Sequence, residues 1–116
     1  MKTILVVDDE PPIRQFYAEE LSEEGYKVLT AEDGVEALNI VENIHVDLVI
    51  LDIKMPKMDG LTALKRILEL NINLPVILLT AFGTYKDDDY TSWGAKAFIV
   101  KSTDVTELKD AIKKYV

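Results

Sequence analysis

Three acidic residues, one threonine and one lysine stand where apolar runs of this chain end. Asp8 and Asp9 follow the first run, Asp52 follows the third, Thr80 closes the fourth and Lys101 follows the fifth. If these runs are parallel strands, their carboxyl ends lie along one edge of a sheet, where such sheets bind ligands. Three carboxylates gathered there repel one another, and their pKa values rise unless a cation compensates. Oxygen ligands alone favour a hard divalent cation, so the pattern predicts Mg²⁺ or Mn²⁺ at this edge.

The same residues suit phosphoryl transfer. A divalent cation and the Lys101 ammonium would neutralise phosphoryl oxygens, the Thr80 hydroxyl would donate a hydrogen bond, and a carboxylate could attack phosphorus. Asp52 is the candidate nucleophile because it stands alone after its apolar run, whereas the adjacent Asp8 and Asp9 suit a metal-binding pair. Acids at strand ends are often only turn residues, so the prediction depends on all five side chains occurring together.

The apolar runs alternate with segments of helical spacing. The predicted strands cover residues 4–7, 27–31, 48–51, 76–80 and 97–100. The predicted helices cover residues 13–24, about 34–43, about 61–70, a short stretch within 81–94, and a last helix near the end of the chain. The stretch 81–94 has the weakest pattern, because a run of three aspartates gives poor helix propensity.

Capping patterns locate three helix starts. Asp33 with Glu36 has the spacing of a capping box, and so does Asp104 with Glu107. Asp59 is the candidate N-cap of the helix that follows the third strand. Five strand–helix units with short connections predict an α/β fold with a five-stranded parallel sheet in the order 2-1-3-4-5, doubly wound and flavodoxin-like. Residues 1–116 are expected to form one domain.

The composition of the chain argues against several classes of site and of protein. The chain has 116 residues, no cysteine and a formal net charge of −8. Disulfides, zinc–thiolate sites and cysteine catalysis are therefore excluded, and a nucleic-acid-binding surface is not expected. No apolar run approaches 18 residues and no signal-peptide pattern is present, so we expect a cytoplasmic protein without a membrane segment.

The strand-end residues resemble those of the response-regulator receiver domain, the phospho-accepting half of two-component signalling. Residues 6–10 resemble the acidic pair that follows the family's first strand, and residues 52–60, DIKMPKMDG, resemble its phosphorylation-site signature nearly residue for residue. Residues 79–81 resemble its switch-threonine segment, and residues 100–101 its lysine. The resemblance covers residues 3–115. Within the family, the sequence most resembles the single-domain regulators of sporulation phosphorelays.

The resemblance implies a role for each matching residue. Asp52 would be the phosphoacceptor, and Asp9 and Asp52 would bind Mg²⁺ directly. Asp8 would bind the metal through water, and the backbone carbonyl of Lys54 would be a further ligand. The phosphoryl donor would be a phosphohistidine on a sensor histidine kinase or a histidine phosphotransferase. The cognate donor and the downstream partner are not specified by the sequence.

The resemblance also implies how the signal is switched and reset. Thr80 and Phe98 would form a switch pair, in which the hydroxyl moves to the phosphoryl group as the ring changes rotamer. The side chains that reach the attacking water would be Lys54 and Phe82. Lysine only donates hydrogen bonds and phenylalanine excludes water, which predicts slow self-dephosphorylation. The family usually has proline after the lysine with a cis bond, but here Ser102 follows, so a trans bond is expected.

A donor must approach Asp52 over the rim of the sheet edge, beside the start of the first helix and the loop after the fifth strand. Pro12, Ile13, Arg14 and Phe16 begin that helix and are the predicted partner-binding residues. Ile13 and Phe16 would be contacts if they are exposed and core residues if they are buried.

Two other functions fit the same fold class. A flavin-binding electron carrier needs a phosphate-binding loop after the first strand, where this chain has Asp8, Asp9 and Glu10, which would repel phosphate. A metal-dependent phosphatase with an aspartyl nucleophile usually has an acid two residues after that nucleophile, where this chain has Lys54. We expect a self-phosphorylating signalling protein and not an enzyme that turns over small molecules.

Overall fold

Parallel strands and helices alternate through the chain. The computed structural model describes residues 1–55, 58–81 and 93–116. The described elements are β1 (Thr3–Val7), α1 (Pro11–Glu23), β2 (Lys27–Ala31), α2 (Gly34–Asn43), β3 (Leu48–Asp52), α3 (Gly60–Leu70), β4 (Val76–Thr80), β5 (Ala97–Val100) and α4 (Thr106–Tyr115). The predicted strands agree with this order to within one residue at each end. Most of the short helix predicted within 81–94 lies outside the described residues.

The five strands form one sheet in the order β2-β1-β3-β4-β5, and every neighbouring pair is parallel. This confirms the predicted doubly wound, flavodoxin-like α/β fold. The central strands β1, β3 and β4 are the most deeply buried because helices cover both faces of the sheet. No helix in the described ranges is both long and apolar enough to cross a bilayer.

Successive side chains of each strand point to opposite faces of the sheet, and this divides the core into two layers. One layer packs against α2 and α3 and includes Leu51 and Leu78, while the other packs against α1 and α4 and includes Ile50 and Ile77. Adjacent residues of a strand point to opposite faces, so a continuous apolar run can supply both layers. This double burial fixes the register of the strands, and the register fixes which residues reach the carboxyl edge.

Two of the predicted caps are present and one prediction is wrong. The side chain of Asp33 accepts a hydrogen bond from Glu36 N at 2.8 Å, and Asp59 Oδ1 accepts one from Thr62 N at 2.9 Å. At the start of α4 the N-cap position is Val105, without a side-chain cap bond. Asp104 Oδ1 instead accepts from Thr106 N, only two residues on, at 3.0 Å. Asp104 therefore forms a local turn before the helix and does not form a capping box with Glu107.

The connection from β3 to α3 makes an unusually close approach at Gly60. The Gly60 N–H donates to Ile53 O at 2.6 Å. A Cβ atom at Gly60 would lie 2.5 Å from Ile53 Cα and closer still to the Asp52 carbonyl oxygen. Glycine is required here because the helix begins directly against the backbone that carries Asp52.

Candidate functional site at the carboxyl edge of the sheet

The predicted site residues come from four strand ends. Asp8 follows β1, Asp52 ends β3, Thr80 ends β4 and Lys101 follows β5, so all four lie along the carboxyl edge of the sheet. Three of these residues are in direct contact. Lys101 Nζ lies 2.7 Å from Asp8 Oδ2 and 3.2 Å from Asp52 Oδ2. One ammonium thus joins the carboxylates of two neighbouring strands.

These charges are almost completely removed from water. The exposed fraction of the side chain is 9% for Lys101, 1% for Asp8 and 5% for Asp52. In such an environment a charge is costly unless it is paired. The contact is therefore a buried three-charge cluster with one uncompensated negative charge, and it differs from an ordinary surface ion pair.

Burial dominates the ionisation of Asp52. Desolvation raises the pKa of its carboxyl group from 3.8 to about 6, against the opposing effect of the Lys101 charge. The negative charge of Asp8 also raises this pKa, whereas the hydrogen bond from Lys54 N to Asp52 Oδ1, at 3.3 Å, lowers it. At neutral pH Asp52 remains mostly ionised and is more basic than an exposed aspartate.

The pKa of Lys101 is raised above its ordinary value. Burial alone would lower it, but the hydrogen bond and charge of Asp8, together with Asp52, outweigh the desolvation. Lys101 therefore remains a cation at neutral pH. Its ammonium is held between two carboxylates and can supply positive charge at Asp52.

The loop after β1 gathers oxygen ligands. Asp8, Asp9 and Glu10 each offer a carboxylate oxygen within 4.8 Å of the others. Asp8 Oδ1 also accepts a hydrogen bond from Glu10 N at 2.9 Å, and Arg14 Nη1 donates to the Asp8 carbonyl oxygen at 2.7 Å. These two bonds hold the acidic loop in shape.

The expected convergence of Asp8, Asp9 and Asp52 is present only in part. In residues 1–55, 58–81 and 93–116, Asp52 belongs to no group of three acids at that spacing, and Glu10 takes the third place. Asp52 Oδ2 and Asp8 Oδ2 instead share the Lys101 ammonium. Position alone does not indicate Glu10 as a candidate ligand, because it lies three residues beyond the end of β1 at Val7.

The remaining predicted residues differ in their surroundings. Thr80 is buried and Phe98 is partly buried, and they lie on the adjacent strands β4 and β5. The Lys54 side chain is exposed, while its main-chain N–H contacts Asp52. Phe82 lies outside the described residues. The Lys101–Ser102 peptide bond is trans, as expected.

A groove of about 320 Å³ lies beside the charged cluster, between α1 and the loop after β5. The residues that line it are Pro12, Ile13, Phe16, Tyr17, Lys101, Ser102 and Thr103. Ile13 and Phe16 are partly exposed, so each is both a wall of the groove and a neighbour of the core. Arg14, by contrast, is turned to the acidic loop, a role that sequence spacing did not suggest.

Comparison with known proteins identifies the family. The response regulator receiver domain matches residues 4–113. This chain belongs to that family. It is 40% identical over 114 residues to sporulation initiation phosphotransferase F of Bacillus subtilis, covering 97% of this chain and 92% of that protein.

Longer relatives and solved structures agree with the family. The chain is 49% identical over 78 residues to the sensor histidine kinase RcsC of Escherichia coli, but that match spans only 8% of the kinase. The response regulator TrrA of Thermotoga maritima, solved in complex with Mg(2+)-BeF, is 48% identical, with a TM-score of 0.94 over 100% of both chains. TrrA has also been solved in complex with the histidine kinase ThkA, and that structure gives a TM-score of 0.91 over 100% of this chain and 99% of the TrrA chain.

The raised pKa predicts that Asp52→Asn stabilises the metal-free protein at neutral pH. The folded protein holds a proton on Asp52 more tightly than the unfolded chain does, because the pKa rises from 3.8 to about 6. The free energy of unfolding of the parent therefore falls as the pH rises through this window, by up to about 3 kcal/mol. Asp52→Asn removes that cost above pH 6 and has no such advantage below pH 4.

Urea unfolding with a chelator at pH 7 and pH 4 measures the effect. Asp59→Asn is the matched control, because Asp59 is exposed and asparagine also caps helices well. If Asp52→Asn were no more stable than the parent at pH 7, the assigned desolvation of Asp52 would be wrong.

Proposed function

We propose that Asp52 accepts a phosphoryl group from a phosphohistidine on a sensor histidine kinase or a histidine phosphotransferase, in the presence of Mg²⁺. The observation that carries this proposal is the buried contact between Asp52 and the Lys101 ammonium at the carboxyl edge. Residues 1–116 would act as one receiver domain. The complex of the similar protein TrrA with a histidine kinase supports a donor of this class.

Transfer breaks the phosphorus–nitrogen bond of the donor and forms a phosphorus–oxygen bond to the Asp52 carboxylate. Lys101 places positive charge beside the acceptor oxygen, where the phosphoryl group arrives with its own negative charge. The Lys54 N–H orients the other carboxylate oxygen. Thr80, at the end of the strand between those of Asp52 and Lys101, would donate its hydroxyl to a phosphoryl oxygen.

The donor set fits a hard divalent cation. Asp9 and Asp52 would bind it directly, Asp8 through water and Lys54 through its backbone carbonyl, and the structure adds Glu10 as a further candidate. Oxygen ligands of this kind suit Mg²⁺, and Mn²⁺ has the same preference. When bound, the cation neutralises and polarises phosphoryl oxygens. The Mg(2+)-BeF complex of TrrA supports magnesium.

The switching and reset roles remain proposals. Thr80 and Phe98 would couple phosphorylation to the surface of β4 and β5, where Phe98 packs against the core layer beneath α2 and α3. Lys54 and Phe82 would keep self-dephosphorylation slow, and the decay rate of the phosphorylated protein in Mg²⁺ tests this.

A cytoplasmic location stays a prediction. Neither flavin binding nor phosphatase turnover gains support from the family match.

The groove beside Lys101 is the proposed docking surface for the donor. Pro12 is exposed, and Ile13 and Phe16 present partly exposed apolar groups next to the charged cluster. Arg14 would act there mainly by holding the acidic loop. A donor helix seated on this groove would bring its phosphohistidine over the carboxyl edge.

Phosphorylation should depend on Asp52. Incubation with acetyl phosphate and Mg²⁺ should add one phosphoryl mass, and hydroxylamine should remove it because an acyl phosphate is susceptible to that nucleophile. Asp52→Asn should abolish the mass shift, while Asp59→Asn should retain it. Mass spectrometry of the intact proteins measures the outcome, and undiminished labelling of Asp52→Asn would refute the acceptor assignment.

Magnesium should raise the melting temperature of the parent protein, because a ligand that binds only the folded state stabilises it by mass action. Asp9→Ala should remove most of this rise, and Glu10→Ala, the neighbouring acid of the same loop, should retain most of it. Thermal unfolding across a Mg²⁺ titration measures both. A melting temperature independent of Mg²⁺ in the parent would count against the site, and a larger loss in Glu10→Ala would assign the ligand to Glu10.

Donor docking should be sensitive to charge at Ile13. Ile13→Glu should slow transfer from a phosphorylated histidine kinase by about tenfold, since a buried unpaired carboxylate at an interface costs more than 1 kcal/mol. Labelling by acetyl phosphate, which needs no protein contact, should change little. Val35→Glu is the control, because Val35 is an apolar residue of α2 that is 54% exposed. Equal kinase transfer to Ile13→Glu and to the parent would exclude this surface.

A further inference from the structure

We infer that Tyr17 is a positioning residue for phosphoryl transfer, because its hydroxyl clamps the main chain of Ser102 and thereby holds Lys101 in place. The inference rests on the proposed function at Asp52. It adds a residue of α1 to the site, although the Tyr17 side chain does not touch the reacting atoms.

One hydroxyl satisfies both main-chain groups of Ser102. Ser102 N donates to the Tyr17 hydroxyl at 3.2 Å, and the hydroxyl donates to Ser102 O at 3.4 Å. Tyr17 is 3% exposed whereas Ser102 is exposed, so these bonds form at the boundary between the core and the surface. Burial raises the pKa of the Tyr17 phenol, so the group remains a neutral O–H donor at neutral pH.

The clamp supplies the second of two anchors around Lys101. On the preceding side, Lys101 N donates to Thr80 O at 2.7 Å and continues the β4–β5 hydrogen bonding. On the following side, β5 has ended at Val100 and α4 does not begin until Thr106. The Tyr17 hydroxyl holds Ser102, the residue of this irregular segment that directly follows Lys101.

A lysine needs such support because its side chain has four rotatable methylene groups. The ammonium must remain within contact distance of Asp8 and Asp52, and its main chain sits at the edge of the sheet. Without the hydroxyl, Ser102 N–H loses its partner and the segment can shift. The ring of Tyr17 packs in the core layer of α1 and α4, so phenylalanine preserves that packing and removes only the clamp.

The experiment is a double-mutant cycle on the rate of labelling by acetyl phosphate in Mg²⁺, followed over hours by mass spectrometry so that slow variants give a rate. The proteins are the parent, Tyr17→Phe, Lys101→Met and the double variant. Loss of the two long hydrogen bonds of the clamp predicts about 3- to 10-fold slower labelling of Tyr17→Phe than of the parent. In the Lys101→Met background the same change should have less than about a twofold effect, because the group being positioned is absent.

Tyr115→Phe is the matched control. The Tyr115 hydroxyl also donates to a main-chain carbonyl, that of Lys96 at 3.3 Å, but at the opposite end of β5. Its labelling rate should equal that of the parent. Amide hydrogen exchange at Ser102 reports the clamp itself, and it should become at least about tenfold faster in Tyr17→Phe and remain unchanged in Tyr115→Phe.

The outcomes separate this inference from the proposed function. An unchanged labelling rate in Tyr17→Phe, or an equal slowing with and without Lys101, would overturn the positioning role. Unchanged exchange at Ser102 would overturn the clamp. Persistent labelling of Asp52→Asn would instead refute the proposed acceptor, whatever Tyr17→Phe shows.

Discussion

The Lys101 ammonium, buried between two carboxylates, is the interaction on which the site depends. In the strand order β2-β1-β3-β4-β5, Lys101 starts from the edge strand and must reach past the end of β4 to β3 and β1. Neighbouring strands lie about 4.8 Å apart, so this span requires a long side chain. Thr80, at the end of the intervening strand, is small enough to leave that path open. Lysine and threonine are thus matched by their size as well as by their chemistry.

The burial of these charges lowers the stability of the fold but favours the proposed reaction at Asp52. Two carboxylates and one ammonium leave an excess negative charge in a nearly dry environment. Replacing such buried charges by apolar groups often stabilises a protein. The desolvation that weakens the fold also makes Asp52 a better base and nucleophile than a solvated carboxylate. The site is therefore prepared for an incoming group that provides new partners for these charges.

The strand ends were predictable from sequence because a buried parallel strand has a strong signal. The apolar runs before Asp52 and Thr80 located both residues, and the fold rules then placed them on one edge. The prediction of a capping box at Asp104 and Glu107 is wrong because an aspartate side chain accepts a hydrogen bond equally well from the N–H of the second or the third residue that follows it. The spacing of residues alone does not distinguish a turn from a helix start.

The contacts that hold the site were not predictable in the same way. The Tyr17 ring lies in the core, as the helical spacing of apolar residues in α1 favours, but the partner of its hydroxyl belongs to a loop far away in the chain. Arg14 is a predicted partner-binding residue because it begins a helix near the rim, and the structure adds a contact that its position did not suggest, from its guanidinium to the carbonyl of Asp8. Such pairings depend on loop geometry, which residue patterns describe poorly.

The site also forms only when the first and the last strand have both joined the sheet. Asp8 follows the first strand and Lys101 the last, so their contact closes a loop that includes nearly the whole chain. A nascent or proteolytically shortened chain that lacks β5 and Lys101 retains Asp52 but has no ammonium beside it. Such a fragment would have the acidic residues of the site without the Lys101 ammonium that pairs with them. Under the proposed function, the site is consequently complete only when β5 has joined the sheet and Lys101 has reached Asp8 and Asp52.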